Sequence, residues 1–238
     1  MLSTSVRWAF NIKKWVPSEH EFILANQCIQ KEEKQRVNEF VFKNDVKSAL
    51  VGRLLLRRFL TRHLGVPYDS LVLGRSDRGR PVLLDPQPRS PLDFNISHQG
   101  EYCVLAGDAQ SAIGVDVMKL THYTGGRDLE DYFRIMKRQF TECEWSFIEE
   151  KSTDKERMER FLRLWCLKES YLKAIGCGIT DIQETLSFRC RTPDLEMGAT
   201  VTDSMLYLNC SLSPWVFHES LLDPLHCVVV ALQQRISL

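Results

Sequence analysis

Trp165-Cys166-Leu167-Lys168-Glu169-Ser170-Tyr171-Leu172-Lys173 lies in the second half of a long helix-forming stretch from about 154 to 175. Trp165, Glu169 and Lys173 recur at every fourth position, so their side chains stack along one helix face. Leu167, Tyr171 and Leu172 make the neighbouring faces apolar and leave Glu169 little solvated area. Upstream, Ile113-Gly114-Val115-Asp116-Val117-Met118-Lys119 reads as a strand whose apolar run is interrupted by one carboxylate. A carboxylate among apolar neighbours needs a partner. Two carboxylates, one on a strand and one on a helix, with lysines beside them, can share a cation, and that combination suits phosphate chemistry. Each also has a plainer reading. Asp116 can be a hydrogen-bonded structural residue at a strand end, and Glu169 an exposed helix residue paired with Lys173.

Outward from these segments, residues 18 to 42 read as one or two helices, and a longer helix runs from Asp45 to about Leu64, stopped by Gly65 and Pro67. Leu71–Leu73, Val82–Leu84, Phe94–Ile96, Tyr102–Ala106 and Ile113–Val117 are short strands of an antiparallel or mixed sheet, separated by Gly, Pro and Asp turns. The second half repeats the plan, with helices near 128 to 136, 141 to 151 and 154 to 175, then strands at 186 to 188 and 227 to 232. In both halves a long helix ends at a glycine, Gly65 or Gly176, and a strand follows. The matching order favours an α+β protein of two similar lobes, residues 1–110 and 111–238, meeting around Gly107 to Gly114, and such a junction is a common ligand site.

Equal totals of 31 basic and 31 acidic residues argue against a generally nucleic-acid-binding surface, so any basic site is local. A hydrophobic content of 44% against 26% charged residues is that of a globular protein with a packed core. No run approaches the roughly 20 apolar residues of a membrane span, and the amino terminus has no signal-like stretch, so a cytosolic protein is expected. The eight cysteines show no paired Cys-x-x-Cys spacing and read as reduced and mostly buried. Arg53, Arg57, Arg58, Arg62 and His63 form a basic run on one helix, either a solvated face or a surface for an acidic partner.

These segments resemble the surfactin-type 4′-phosphopantetheinyl transferases, whose signature joins a Gly-x-Asp-x-Glu strand to a Trp-x-x-Lys-Glu-(Ser/Ala)-x-x-Lys helix. The helix half matches at every signature position, from Trp165 through Lys168, Glu169 and Ser170 to Lys173. The similarity extends to Phe94-Asn95-Ile96-Ser97-His98, to Arg75-Ser76-Asp77-Arg78-Gly79-Arg80-Pro81 and to Val6-Arg7-Trp8-Ala9-Phe10, and so covers nearly the whole chain. The resemblance implies a pseudo-twofold α+β fold. It also implies transfer of the 4′-phosphopantetheine group from coenzyme A to a serine of an apo acyl- or peptidyl-carrier protein, with release of 3′,5′-ADP.

By the same resemblance Asp116 and Glu169 bind Mg²⁺, Glu169 is the base that takes the serine proton, and Lys168 and Lys173 face the phosphates of coenzyme A. Arg36, Arg75, Asn95, Ser97 and His98 fall in the segments that hold the 3′-phosphate, with Arg78 and Arg80 near the adenosine. Met118 departs from the pattern: most relatives have a third metal carboxylate there, and a thioether is a soft donor that Mg²⁺ does not accept. A water can fill that position, because Mg²⁺ gives up waters reluctantly. Two other readings stand beside transfer. One is a coenzyme A-binding module with little turnover, motivated by Met118. The other is a metal-dependent nucleotide phosphohydrolase, although such sites commonly use two metals held by more acids and histidines than these motifs bring together. The carrier domains of fatty-acid synthase, of the aminoadipate pathway and of mitochondria are the candidate partners. No nucleic acid or membrane is expected as a partner. A monomer is expected, since the chain supplies both lobes.

Overall fold

The computed structural model describes residues 5–88, 90–121, 126, 128–178 and 186–234. The chain divides into two units between Ile113 and Gly114. The first contains β1 (Ser5–Asn11), α1 (Glu19–Gln27), α2 (Lys31–Asn38), α3 (Lys43–Leu64), β2 (Val72–Arg75), β3 (Pro81–Asp85), β4 (Asp93–Gln99) and β5 (Tyr102–Asp108). Strand β6 (Ser111–Lys119) crosses the division. The second unit continues with α4 (Leu129–Met136), α5 (Glu142–Glu149), α6 (Asp154–Ile175), β7 (Leu186–Arg189), β8 (Thr200–Val201), β9 (Met205–Leu208), β10 (Ser211–Leu212), β11 (Val216–Asp223) and β12 (His226–Gln234).

In the first unit α3 covers an antiparallel sheet of order β1–β5–β4. Leu56, Phe59 and Leu60 on α3 pack with Phe94 on β4, Leu105 on β5, and Leu71 and Leu73 at the start of the β2–β3 hairpin. Burying a side chain the size of Phe59 is worth about 1.5–3 kcal/mol. The approach is close because β5 carries Gly107, where a β-carbon would stand 2.3 Å from the Phe59 ring. Helix α2 is tied to β2 by Gln30, whose side chain donates to the Leu73 carbonyl at 2.8 Å and accepts from the Leu73 amide at 3.0 Å.

The second unit has a sheet of order β6–β12–β11–β8 and a smaller one of order β10–β9–β7. Phe133, Phe140, Trp145 and Phe161 form an aromatic cluster that joins α4 and α5 to α6, with ring centroids as close as 4.9 Å. Arg163 on α6 is buried and forms a bidentate pair with Glu219 on β11, at 2.7 and 3.0 Å, while Ser204 donates to the same carboxylate at 2.5 Å. The pair lifts the Arg163 guanidinium above its already high range, against the pull of burial. Such a pair is costly to break from one side, because a buried charge is left behind.

Both long helices have 22 residues, and both end on a glycine in the left-handed conformation, Gly65 at φ 67° and Gly176 at φ 70°. An L side chain rarely adopts that backbone, so the glycine stops of the sequence are true caps. The long helix expected from Asp45 begins at Lys43 instead. Strands β8 to β11 were not anticipated. In β11 a fully buried Glu219 occupies a core position, and a core acid is legible only once its partner Arg163 is known.

The basic run on α3 divides in a way neither sequence reading anticipated. Arg57 is buried, donating to Gln30, Glu33 and the carbonyls of Tyr68 and Leu71, and Arg53 is mostly buried against Glu33. Only Arg58 and Arg62 of its arginines are exposed.

Candidate functional site

Gly114 sets the geometry of the second unit's charged cluster. A β-carbon there would fall 2.0 Å from the Ser170 carbonyl oxygen and 2.5 Å from the Ala174 nitrogen, so β6 touches the backbone of α6 at this point. Side chains two apart on a strand share a face. Asp116 and Met118 therefore project from β6 on the side of Gly114, toward α6. Asp116 is 3% exposed, and Lys173 Nζ donates to its Oδ1 at 2.5 Å. Glu169 stands one helical turn before Lys173 and is half-buried. Burial pushes its carboxyl up from the ordinary range, Lys173 pulls it down, and the Asp116 charge pushes it up again. The two carboxylates and the lysine thus act on one another, as the strand and helix segments foreshadowed.

Asp116 and Glu169 supply carboxylate oxygens, the kind of donor a hard cation requires. Among the described residues no group of three or more His, Cys, Asp or Glu is arranged to hold a metal ion. Two carboxylates fit Mg²⁺, which commonly keeps several waters and takes one or two carboxylates. Met118 is half-buried and on the same strand face as Asp116, where an acid would have added a third donor.

Lys168 corrects an expectation. It was placed among the phosphate-facing lysines, but it is 3% exposed, and its ammonium donates to Glu144 Oε2 at 2.9 Å and to the Leu186 carbonyl at 3.1 Å. Burial lowers its proton affinity and Glu144 restores part of it. Glu144 is fully buried and also accepts from the amides of Thr141 and Phe188. Lys168 therefore ties α6 to α5 and β7.

The first unit gathers the basic candidates. Arg75 ends β2 and donates to the Gly79 carbonyl across a tight turn, in which the Gly79 amide bonds Ser76 at 2.8 Å and Gly79 holds φ 80°. Its guanidinium is lowered to about 10, first by burial and then by the charges of Arg53 and Arg36, with Glu33 opposing. Arg36 is exposed on α2 and Arg78 is exposed in the turn. Asn95 and Ser97 are buried in β4, and His98 is exposed at its end.

Arg80 donates through Nη2 to Asp93 Oδ1 at 2.5 Å and to the carbonyls of Phe94 and Ile113 at 3.0 and 3.1 Å. It braces β4 and the start of β6.

Sequence reasoning missed Arg53 as a member of this basic group. The signal was present: Leu50, Arg53, Arg57 and Leu60 follow helical spacing, which places both arginines on the stripe that faces the core.

Residues 13–110 match the family model described as 4′-phosphopantetheinyl transferase, N-terminal, and residues 112–220 match the 4′-phosphopantetheinyl transferase superfamily. The chain is 40% identical over 230 residues to the L-aminoadipate-semialdehyde dehydrogenase-phosphopantetheinyl transferase of Xenopus laevis, covering 96% of this chain and 76% of that protein. It is 39% identical over 232 residues to the human protein of the same name, covering 96% of this chain and 75% of that one. A phosphopantetheinyl transferase of Thraustochytrium is 35% identical over 232 residues, covering 96% and 78% of the two chains.

Proposed function

The chain belongs to the 4′-phosphopantetheinyl transferase superfamily and transfers phosphopantetheine from coenzyme A to a carrier-protein serine, and we propose that it does so with Mg²⁺ held by Asp116 and Glu169. The observation that carries this reading is the contact of Lys173 with buried Asp116, beside a Glu169 whose carboxyl feels both. A cation bound at these carboxylates would draw charge from the phosphoryl oxygens as the β-phosphorus is attacked.

Glu169 takes the proton of the serine hydroxyl, a role open to a half-buried carboxylate beside Asp116 and Lys173. Lys173 anchors Asp116 and faces the diphosphate as a point charge. Asp116 keeps Lys173 oriented, so the ammonium is in place before substrate arrives. The serine oxygen forms its bond to phosphorus as the bond to the leaving phosphate oxygen breaks, giving holo-carrier and 3′,5′-ADP. In the first unit, Arg36, Arg75 and the Asn95–His98 segment recognise the 3′-phosphate, with exposed Arg78 beside the adenosine. Guanidinium groups suit that phosphate because they form paired hydrogen bonds to its oxygens.

The acceptors include the carrier domain of an aminoadipate-semialdehyde dehydrogenase, a reading supported by the names of the animal relatives. Fatty-acid-synthase and mitochondrial carriers are further acceptors to test. No helix among the described residues is long and apolar enough to cross a membrane. Mass spectrometry of each apo-carrier incubated with enzyme, coenzyme A and Mg²⁺ tests the assignment. A gain of one phosphopantetheine mass, abolished by chelation and restored by Mg²⁺, is expected. Loading that is indifferent to chelation would remove the metal from the account.

A further inference from the structure

Arg53 has a side chain only 14% exposed, yet among the described residues its guanidinium makes no hydrogen bond. Its one ion pair there is a long contact of 3.8 Å with Glu33 Oε1. Arg57, one turn further along α3, is different: its two Nη groups donate to Gln30, Glu33 Oε2, and the carbonyls of Tyr68 and Leu71. A guanidinium with several donors unspent and little water around it is arranged for an anion.

We propose that Arg53 is a third guanidinium of the 3′-phosphate site and that Glu33 is the residue that positions it. This deepens the 3′-phosphate reading of Arg36, Arg75 and His98 and rests on it.

Two independent pieces of geometry bring Arg53 to those residues. The first runs through the sheet. A β-carbon on Gly52, the neighbour of Arg53, would touch Ile96 Cγ2 at 3.4 Å and Cys103 Sγ at 3.5 Å. Cys103 is the cross-strand partner of His98, and directly opposed residues share a sheet face. Ile96 and His98, two apart on β4, share that face as well. Helix α3 therefore crosses the end of β4 that bears His98 at the position of Arg53.

The second runs through α2. Gln30 grips both backbone groups of Leu73, two residues before Arg75. Glu33 follows one turn later and faces Arg53 and Arg57, and Arg36 lies a further turn along. The same short helix thus connects Arg36, Arg53 and Arg75. The lowered proton affinity of Arg75, to which both other arginines contribute, agrees with that convergence. Within this group Glu33 is a single carboxylate. It also receives Arg57, so the charge left over is positive and matches a phosphate monoester.

The test is calorimetric titration of the full chain with coenzyme A and with 3′-dephospho-coenzyme A, the ratio of the two affinities being the readout. Arg53→Gln is expected to weaken coenzyme A about 10-fold or more while leaving the dephospho form unchanged, the scale of a lost charge-assisted contact. Arg53→Lys keeps the charge without the fork, so it should lie between wild type and Arg53→Gln, and it carries the test if the glutamine variant does not fold. Glu33→Gln should lower the ratio in the same direction, an effect that loss of packing alone would not produce.

A wild-type ratio in both Arg53 variants, with the ratio lost in Arg75→Ala, would overturn the role of Arg53 and leave the 3′-phosphate reading standing. A wild-type ratio in Arg75→Ala as well would overturn that reading itself. Loss of the ratio in Arg53→Gln but not in Glu33→Gln would reject Glu33 as the positioning residue.

Discussion

A β-carbon at Gly114 would lie 2.0 Å from the carbonyl oxygen of Ser170, a separation that non-bonded carbon and oxygen atoms do not tolerate. The glycine of the Gly-x-Asp pattern is thus a packing requirement: it lets β6 come to rest on α6, so that Asp116 meets Lys173. Gly114→Ala must push strand and helix apart. The expected outcome is a folded but destabilised protein whose carrier loading falls together with Mg²⁺ affinity. Unimpaired loading by a stable Gly114→Ala protein would show that the close approach does not set the site.

Lys168 and Glu144 are expected to matter for stability. Removing one partner of a buried pair typically costs about 3–5 kcal/mol. Lys168→Met should therefore lower the denaturant midpoint strongly, while loading per folded molecule stays near wild type. The opposite pattern, a stable Lys168→Met protein with little turnover, would return Lys168 to the phosphate.

Much of this was legible in the sequence, and the failures share a cause. The long helix over 154–175, its glycine stop and the strand carrying Asp116 follow from local periodicity and capping. The resemblance put Asp116 and Glu169 at one site; in the structure the Asp116 charge acts on the Glu169 carboxyl, and Gly114 supplies the physical reason for the close approach of β6 and α6. Lys168 was misplaced because its partner Glu144 is distant in sequence, and no spacing rule announces a buried long-range pair. The pairing of Arg80 with Asp93 went unseen for the same reason, its partner being on another strand. Arg53 was grouped with exposed arginines because charge was read before helical phase. Strand β11 was unseen because Glu219 looks like a surface residue until Arg163 is placed opposite it.

Glu33 gives a pH signature. Burial is the largest influence on its carboxyl and pushes it up, with Arg53, the Gln30 amide and Arg57 pulling down. A carboxyl whose folded value exceeds its unfolded value binds a proton first in the folded state. Its contribution therefore opposes folding at neutral pH and is relieved as pH falls through the folded value, the relief being complete below the unfolded one. Wild type should gain stability relative to Glu33→Gln as pH falls from neutral into the acid range. Urea unfolding of both proteins across that range checks it, and a stability difference that is flat or moves the other way contradicts the sign.

Met118 stands on the Asp116 face of β6, so an acid there should reach the same cation. Met118→Glu is expected to lower the Mg²⁺ concentration needed for half-maximal loading, because it adds a third carboxylate to Asp116 and Glu169. An unchanged requirement would mean that residue 118 does not face the ion.

Glu169 and Lys173 are assigned different kinds of work, and their variants should differ in kind. Lys173→Ala should weaken coenzyme A binding and turnover together, since its charge acts in ground and transition states alike. The most direct test of the central claim is loading of an apo-carrier by Glu169→Gln at saturating coenzyme A and Mg²⁺, with coenzyme A affinity measured in parallel by calorimetry. Glutamine keeps the shape and one oxygen but cannot take the serine proton, so turnover should fall by about 10²–10⁴-fold with affinity much less changed. Turnover preserved at saturation, with only affinity lost, would contradict the assignment of Glu169 as the base.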